Sequence, residues 1–68
     1  MMQKRKNHRL YPCPCCNSLM LFELGNYEIC EVCGWEDDPV QSADPAFAGG
    51  ANANSLNQAR THWQAGNA

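Results

Sequence analysis

Cys13, Cys16, Cys30 and Cys33 form two Cys-x2-Cys pairs on either side of residues 17–29, and this spacing constrains the fold more than any other feature. A Cys-x2-Cys turn places two sulfurs within reach of one ion, and zinc takes four such ligands in a tetrahedron. Two turns brought together complete the shell. A closed shell of four protein ligands has no position for water or substrate, so the expected site is structural and its binding free energy is folding free energy.

The chain has reason to need such a staple. A 68-residue chain of this kind buries only about 60% of the surface its unfolded form exposes, and its apolar core alone is marginal. The five cysteines are an odd number. The N-terminal stretch is basic with no apolar run behind it, and no segment approaches the roughly 20 apolar residues that span a membrane. These features lead us to expect a cytoplasmic protein with reduced thiols, in which paired cysteines hold metal rather than form disulfides.

The residues beside the cysteines fit that expectation. In such a knuckle the first thiolate accepts hydrogen bonds from amides two and three residues on, which leaves the next position open to proline, here Pro14. The position after the second cysteine favours glycine or asparagine for a left-handed backbone, and Asn17 and Gly34 stand there. Zinc, one ion per chain, is expected over iron on availability, although four thiolates also hold a single iron atom. A thioredoxin-like redox motif is not expected, because nothing suggests its βαβ setting. Cys15 is the surplus thiol. It reads as a small residue on the outside of the knuckle, with a metal-activated thiol as the sharper alternative. His8 and His62 read as surface histidines.

Residues 19–24 read as a strand, Gly25-Asn26 as a two-residue turn and residues 27–30 as the returning strand, so that one β-hairpin links the knuckles. Residues 36–54 read as a polar, turn-rich stretch with Asp38-Pro39, Asp44-Pro45 and Gly49-Gly50 as breakers. Ser55-Leu56-Asn57-Gln58 has the form of a capping box, and the apolar spacing of Leu56, Ala59 and Trp63 continues it as a helix towards Gly66. The expected fold is a small metal-stabilised α+β domain, a zinc ribbon plus a C-terminal helix, over residues 11–66. A flexible basic arm precedes it at residues 1–10. Trp35, Trp63, Leu56, Phe22 and Phe47 are the expected core, with an exposed tryptophan as the alternative reading.

The motifs together resemble a known family. Tyr11-Pro12-Cys13-Pro14-Cys15-Cys16, Gly25-Asn26-Tyr27-Glu28-Ile29-Cys30 and Cys33-Gly34-Trp35-Glu36-Asp37-Asp38-Pro39-Val40-Gln41 are similar to the small bacterial cysteine-rich CPCC proteins. Asp44-Pro45, Gly49-Gly50-Ala51-Asn52 and Ser55-Leu56-Asn57-Gln58-Ala59-Arg60 continue the likeness. Asn17 departs from the glycine expected there. The resemblance implies a bacterial, cytosolic, zinc-ribbon-like domain and carries no established activity.

Charge divides the functional expectations. Lys4, Arg5, Lys6 and Arg9 sit in the arm, while the seven acids of the chain all lie beyond it against Arg60 alone. Four thiolates around Zn²⁺ take the whole chain to about −4. A non-enzymatic module that binds another protein is the leading expectation, as a monomer without membrane association, because no nucleophile–base pairing is visible. Trp35 and the acids Glu36, Asp37 and Asp38 are the candidate contact residues on the body. Nucleic-acid binding through Lys4, Arg5 and Lys6 is the alternative, and a rubredoxin-like iron protein is a third.

Overall fold

The computed structural model describes residues 10–66. The chain runs β1 (Tyr11–Pro12), β2 (Leu19–Leu21), α1 (Pro39–Ala43) and α2 (Leu56–Gly66). β1 and β2 pair antiparallel, Tyr11 opposite Leu21 and Pro12 opposite Leu19, with an irregular register between the two pairs. The fold is therefore a small α+β arrangement with a two-stranded hairpin and a C-terminal helix.

The hairpin is not the expected one. Residues 19–21 do form a strand, but its partner is Tyr11–Pro12 on the other side of the first cysteine pair. Residues 27–30 return against residues 35–37 instead, through an isolated bridge between Ile29 and Glu36. Tyr27 N–H donates to the Asp37 carbonyl at 3.0 Å, and Asp37 N–H donates to the Glu28 carbonyl at 2.9 Å. The reason lies in Glu28. Its two carboxylate oxygens accept from the amides of Phe22 and Glu23, each at 2.9 Å, and so take the Phe22 donor that a ladder with residues 27–30 would need. Each cysteine pair thus closes its own small hairpin.

The stretch read as loop contains a helix. Asp38 caps α1, its Oδ1 accepting from Val40 N–H at 2.8 Å and from Gln41 N–H at 3.4 Å. Pro39 at the first helical position loses nothing, because that amide has no partner within a helix. The Asp38-Pro39 pair read as a breaker is in fact a helix start.

Buried Gln41 on α1 organises the segment that follows. Its Nε2 lies within 3.0, 3.1 and 2.9 Å of the carbonyls of Phe47, Asn52 and Asn54, and its Oε1 accepts from Asn52 N–H and Asn52 Nδ2. The backbone carbonyls of a loop with few apolar contacts of its own are satisfied from one side chain.

α2 begins where its cap was expected. Ser55 N–H donates to Gln58 Oε1 at 2.8 Å, and Gln58 N–H donates to Ser55 Oγ at 3.1 Å, the reciprocal pair of a capping box. Leu56 faces inward and joins Cys13, Cys30 and Trp35 in the core, with Cys15, Cys16, Met20, Cys33 and Ala59 packed around them. Phe22 and Phe47, expected inside, are exposed, and Trp63 is half-buried. Trp35 and Leu56 are inside as expected, but cysteines and Leu21 take the places that Phe22 and Phe47 were expected to fill.

Candidate metal centre

The two cysteine turns share two backbone hydrogen bonds. Cys13 N–H donates to the Ser18 carbonyl at 2.8 Å, as Cys30 N–H donates to the Trp35 carbonyl at 2.9 Å. Asn17 N–H donates to the Cys13 carbonyl, as Gly34 N–H donates to the Cys30 carbonyl, both at 2.8 Å. Asn17 and Gly34 carry the positive φ that closes each turn, 67° and 84°. Cys15 N–H donates to Cys13 Sγ at 3.4 Å, so the amide that follows Pro14 is directed at the first sulfur.

These turns bring the sulfurs of Cys13, Cys16, Cys30 and Cys33 within 4.8 Å of one another. The contacts between turns are Cys13 to Cys33 at 3.6 Å and Cys16 to Cys30 at 3.7 Å. A disulfide needs about 2.05 Å, and the cysteines are free thiols. An ion bonded to four sulfurs at about 2.3 Å has a tetrahedral edge of about 3.8 Å. The donor set and its spacing fit one metal ion.

Electrostatics agrees with the geometry. Burial pushes the Cys13 thiol far above its ordinary range, and burial likewise takes Cys33 up to about 12. Burial also acts on Cys16, but hydrogen bonds from the Ser18 hydroxyl and amide outweigh it and bring that thiol down to about 7. Cys13 and Cys33 thus favour the thiol while Cys16 favours the thiolate, and a cation binding all four sulfurs displaces the remaining protons.

Cys15 does not join the four. It is half-buried against the core, and burial raises its pKa. Arg60 on α2 secures this knuckle from outside, its Nε donating to the Pro14 carbonyl at 2.9 Å. A cleft of about 390 Å³ opens beside the second turn, with Cys15, Cys33, Trp35, His62 and Trp63 among its walls. His62 is exposed there and does not share the sulfur cluster.

The profile of the cysteine-rich CPCC family matches residues 11–68. The chain belongs to that family. A comparison with curated proteins finds no match.

In this CPCC chain the residues expected to form a contact surface on the body are mostly interior. Trp35 is buried in the core, and its Nε1 has no hydrogen-bond partner among the described residues. Asp37 and Asp38 are buried as well, because they serve as acceptors for backbone amides. Asp37 Oδ2 accepts from Gly25 N–H, and Asp38 Oδ2 accepts from Ala51 N–H at 2.9 Å. Glu36 is half-buried, with both of its backbone groups bonded to the Asn52 side chain. Lys4, Arg5 and Lys6 lie outside the described residues, as does His8.

Gln41 and Asn52 are not among the site residues expected from the sequence and Gly50 reads only as a breaker, although each stands in a motif that carries the family resemblance. A run of acids followed by Pro-x-Gln is the available signal. It marks a cap and an inward-facing amide rather than an acidic patch.

Proposed function

We propose that this CPCC protein is a structural zinc protein, a zinc-ribbon-like domain with one Zn²⁺ per chain. In this reading it works as a monomeric, non-enzymatic protein–protein interaction module in the bacterial cytoplasm. The observation that carries the metal reading is the set of sulfur contacts between the turns, 3.6 and 3.7 Å, close to the edge of a zinc–sulfur tetrahedron. Four protein ligands leave the ion no open position for chemistry, which supports a scaffold over a catalyst.

Elemental analysis of protein purified without added metal tests this reading. One zinc per chain and a colourless solution are expected. One iron per chain with visible absorption would replace it with a rubredoxin-like iron protein.

A protein partner is favoured by the charge of the body, where Arg60 is the sole Lys or Arg among the described residues against seven acids. Such a surface repels polyanions. Nucleic-acid binding remains as a second reading because residues 1–9 concentrate Lys4, Arg5, Lys6 and Arg9. Binding of a labelled oligonucleotide that falls steeply with salt and disappears when residues 1–9 are deleted would favour it.

A further inference from the structure

We propose that the loop from Phe22 to Ile29 is the contact surface of this module, and that its partner is a basic segment bearing apolar side chains. The inference rests on the interaction reading above and deepens it by naming the surface and the chemistry.

The loop presents large apolar side chains to solvent. Phe22 is 69% exposed, Leu24 55%, Tyr27 50% and Ile29 62%. Val40 is 56% exposed on the neighbouring turn of α1, where Pro39 lies against Gly25. Single exposed apolar residues are ordinary and contiguous apolar patches mark interaction sites, and four of the nine large exposed apolar side chains among the described residues fall within residues 22–29. A chain with so small a core leaves these residues outside it.

The exposure is also fixed in place. Glu28 binds the amides of Phe22 and Glu23, and Asp37 binds the amide of Gly25. Tyr27 holds φ at 59°, which is uncommon for an aromatic residue, and its amide is tied to the Asp37 carbonyl. Backbone held in a sparsely populated region by surrounding hydrogen bonds is a recurrent property of recognition loops. A loop fixed before binding also loses less entropy when it binds.

Charge selects the occupant. Glu23 and Glu31 are exposed within and beside the loop, Glu28 and Glu36 are half-buried at its base, and Arg60 is tied to the first knuckle. An apolar surface with an acidic rim complements lysine or arginine interleaved with apolar residues, and long-range attraction steers that partner in.

The test uses the full-length, metal-loaded chain labelled with ¹⁵N. Three short capped peptides are titrated, alternating lysine with leucine and phenylalanine, lysine with serine, or glutamate with leucine and phenylalanine. The first peptide alone is expected to shift the amides of residues 22–29 and Val40 saturably, with affinity that falls as salt rises. The double variant Phe22→Ser, Leu24→Ser changes only exposed side chains. It is expected to keep its metal stoichiometry and circular dichroism while losing at least tenfold in affinity.

Absence of shifts with the first peptide overturns the proposal, as does equal binding of either control peptide. Undiminished affinity in the double variant also overturns it. Shifts confined to α2 overturn this surface but leave the interaction reading standing. Loop amides that shift on dilution without peptide assign the face to a second copy of the chain, and the proposal falls.

Discussion

The side-chain amide of Asn52 bridges the backbone of Glu36, its Oδ1 accepting from Glu36 N–H at 2.9 Å and its Nδ2 donating to the Glu36 carbonyl at 2.8 Å. One side chain thereby takes the place of a neighbouring strand. Asn52 Nδ2 also reaches Gln41 Oε1 at 2.9 Å, so a single residue connects the second knuckle, α1 and the loop leading to α2. The polar loop is tied to the metal-binding turn by hydrogen bonds rather than by apolar packing.

Asn52→Ala removes these bonds and leaves the Glu36 N–H without its partner, while the Glu36 carbonyl keeps the Asp38 N–H at 2.8 Å. The expected cost is about 2 kcal/mol, from an orphaned Glu36 N–H whose access to water is limited and from the lost bond to Gln41 Oε1. That is a large share of the stability available to a chain of this size. Denaturant titration of the metal-loaded protein measures it. A midpoint unchanged from wild type would show that the bridge is dispensable.

Gly50→Ala is expected to destabilise, against the usual gain from removing a glycine. A Cβ at this position would lie 2.6 Å from Asp38 Oδ2 and 3.0 Å from Gln41 Cδ and Cγ. Asp38 cannot withdraw without releasing Ala51 N–H, and Gln41 cannot move without releasing the loop. Overpacking of this kind costs about 1–3 kcal/mol. Gly66→Ala meets open space and serves as the control, with little change or a small gain expected in thermal denaturation.

Asp38 gives the protein a defined pH signature. Hydrogen bonds from Ala51, Val40 and Gln41 N–H favour the carboxylate and hold its pKa below the ordinary aspartate value despite burial. A lowered folded-state pKa contributes stability that is complete above the unfolded value, about 3.9, and is lost as pH falls through the folded value. The midpoint difference in thermal denaturation between wild type and Asp38→Ala is therefore expected to stay level from neutral pH to about 5. It then narrows in stronger acid. Thiolate ligands also take up protons in acid, so the two proteins are compared at equal metal loading and the difference between them carries the signal.

The closing residues of the two turns predict a contrast in metal affinity. Gly34→Val forces a β-branched side chain to φ near 84°, whereas Asn17→Gly relieves a smaller penalty at 67°. A left-handed backbone costs an ordinary residue about 1–2 kcal/mol. Competition with a chromophoric chelator should show Gly34→Val weakened about tenfold or more. Asn17→Gly should be unchanged or slightly tighter. Equal affinities for Gly34→Val and wild type would contradict the geometry of the turn.

The features legible in the sequence were the local ones. Cysteine spacing, the left-handed positions at Asn17 and Gly34 and the Ser55–Gln58 cap each depend on a few adjacent residues, and each is present in the structure. The strand pairing was not legible, because Glu28 takes the Phe22 and Glu23 amides through its side chain, and a propensity reading does not register that competition. Asp37 and Asp38 read as candidate contact residues because their donors, Gly25 and Ala51, are distant in sequence. Phe22 and Phe47 read as core by residue type, yet the cysteines, Trp35 and Leu56 fill that space.

Metal removal addresses the central claim most directly. Native mass spectrometry of the full chain, before and after a strong chelator and paired with circular dichroism, is expected to show one zinc ion per chain. Loss of that ion should abolish the signals of α2 and the fixed environment of Trp35, and both should return when zinc is restored. A metal-free chain that keeps its fold would contradict the account.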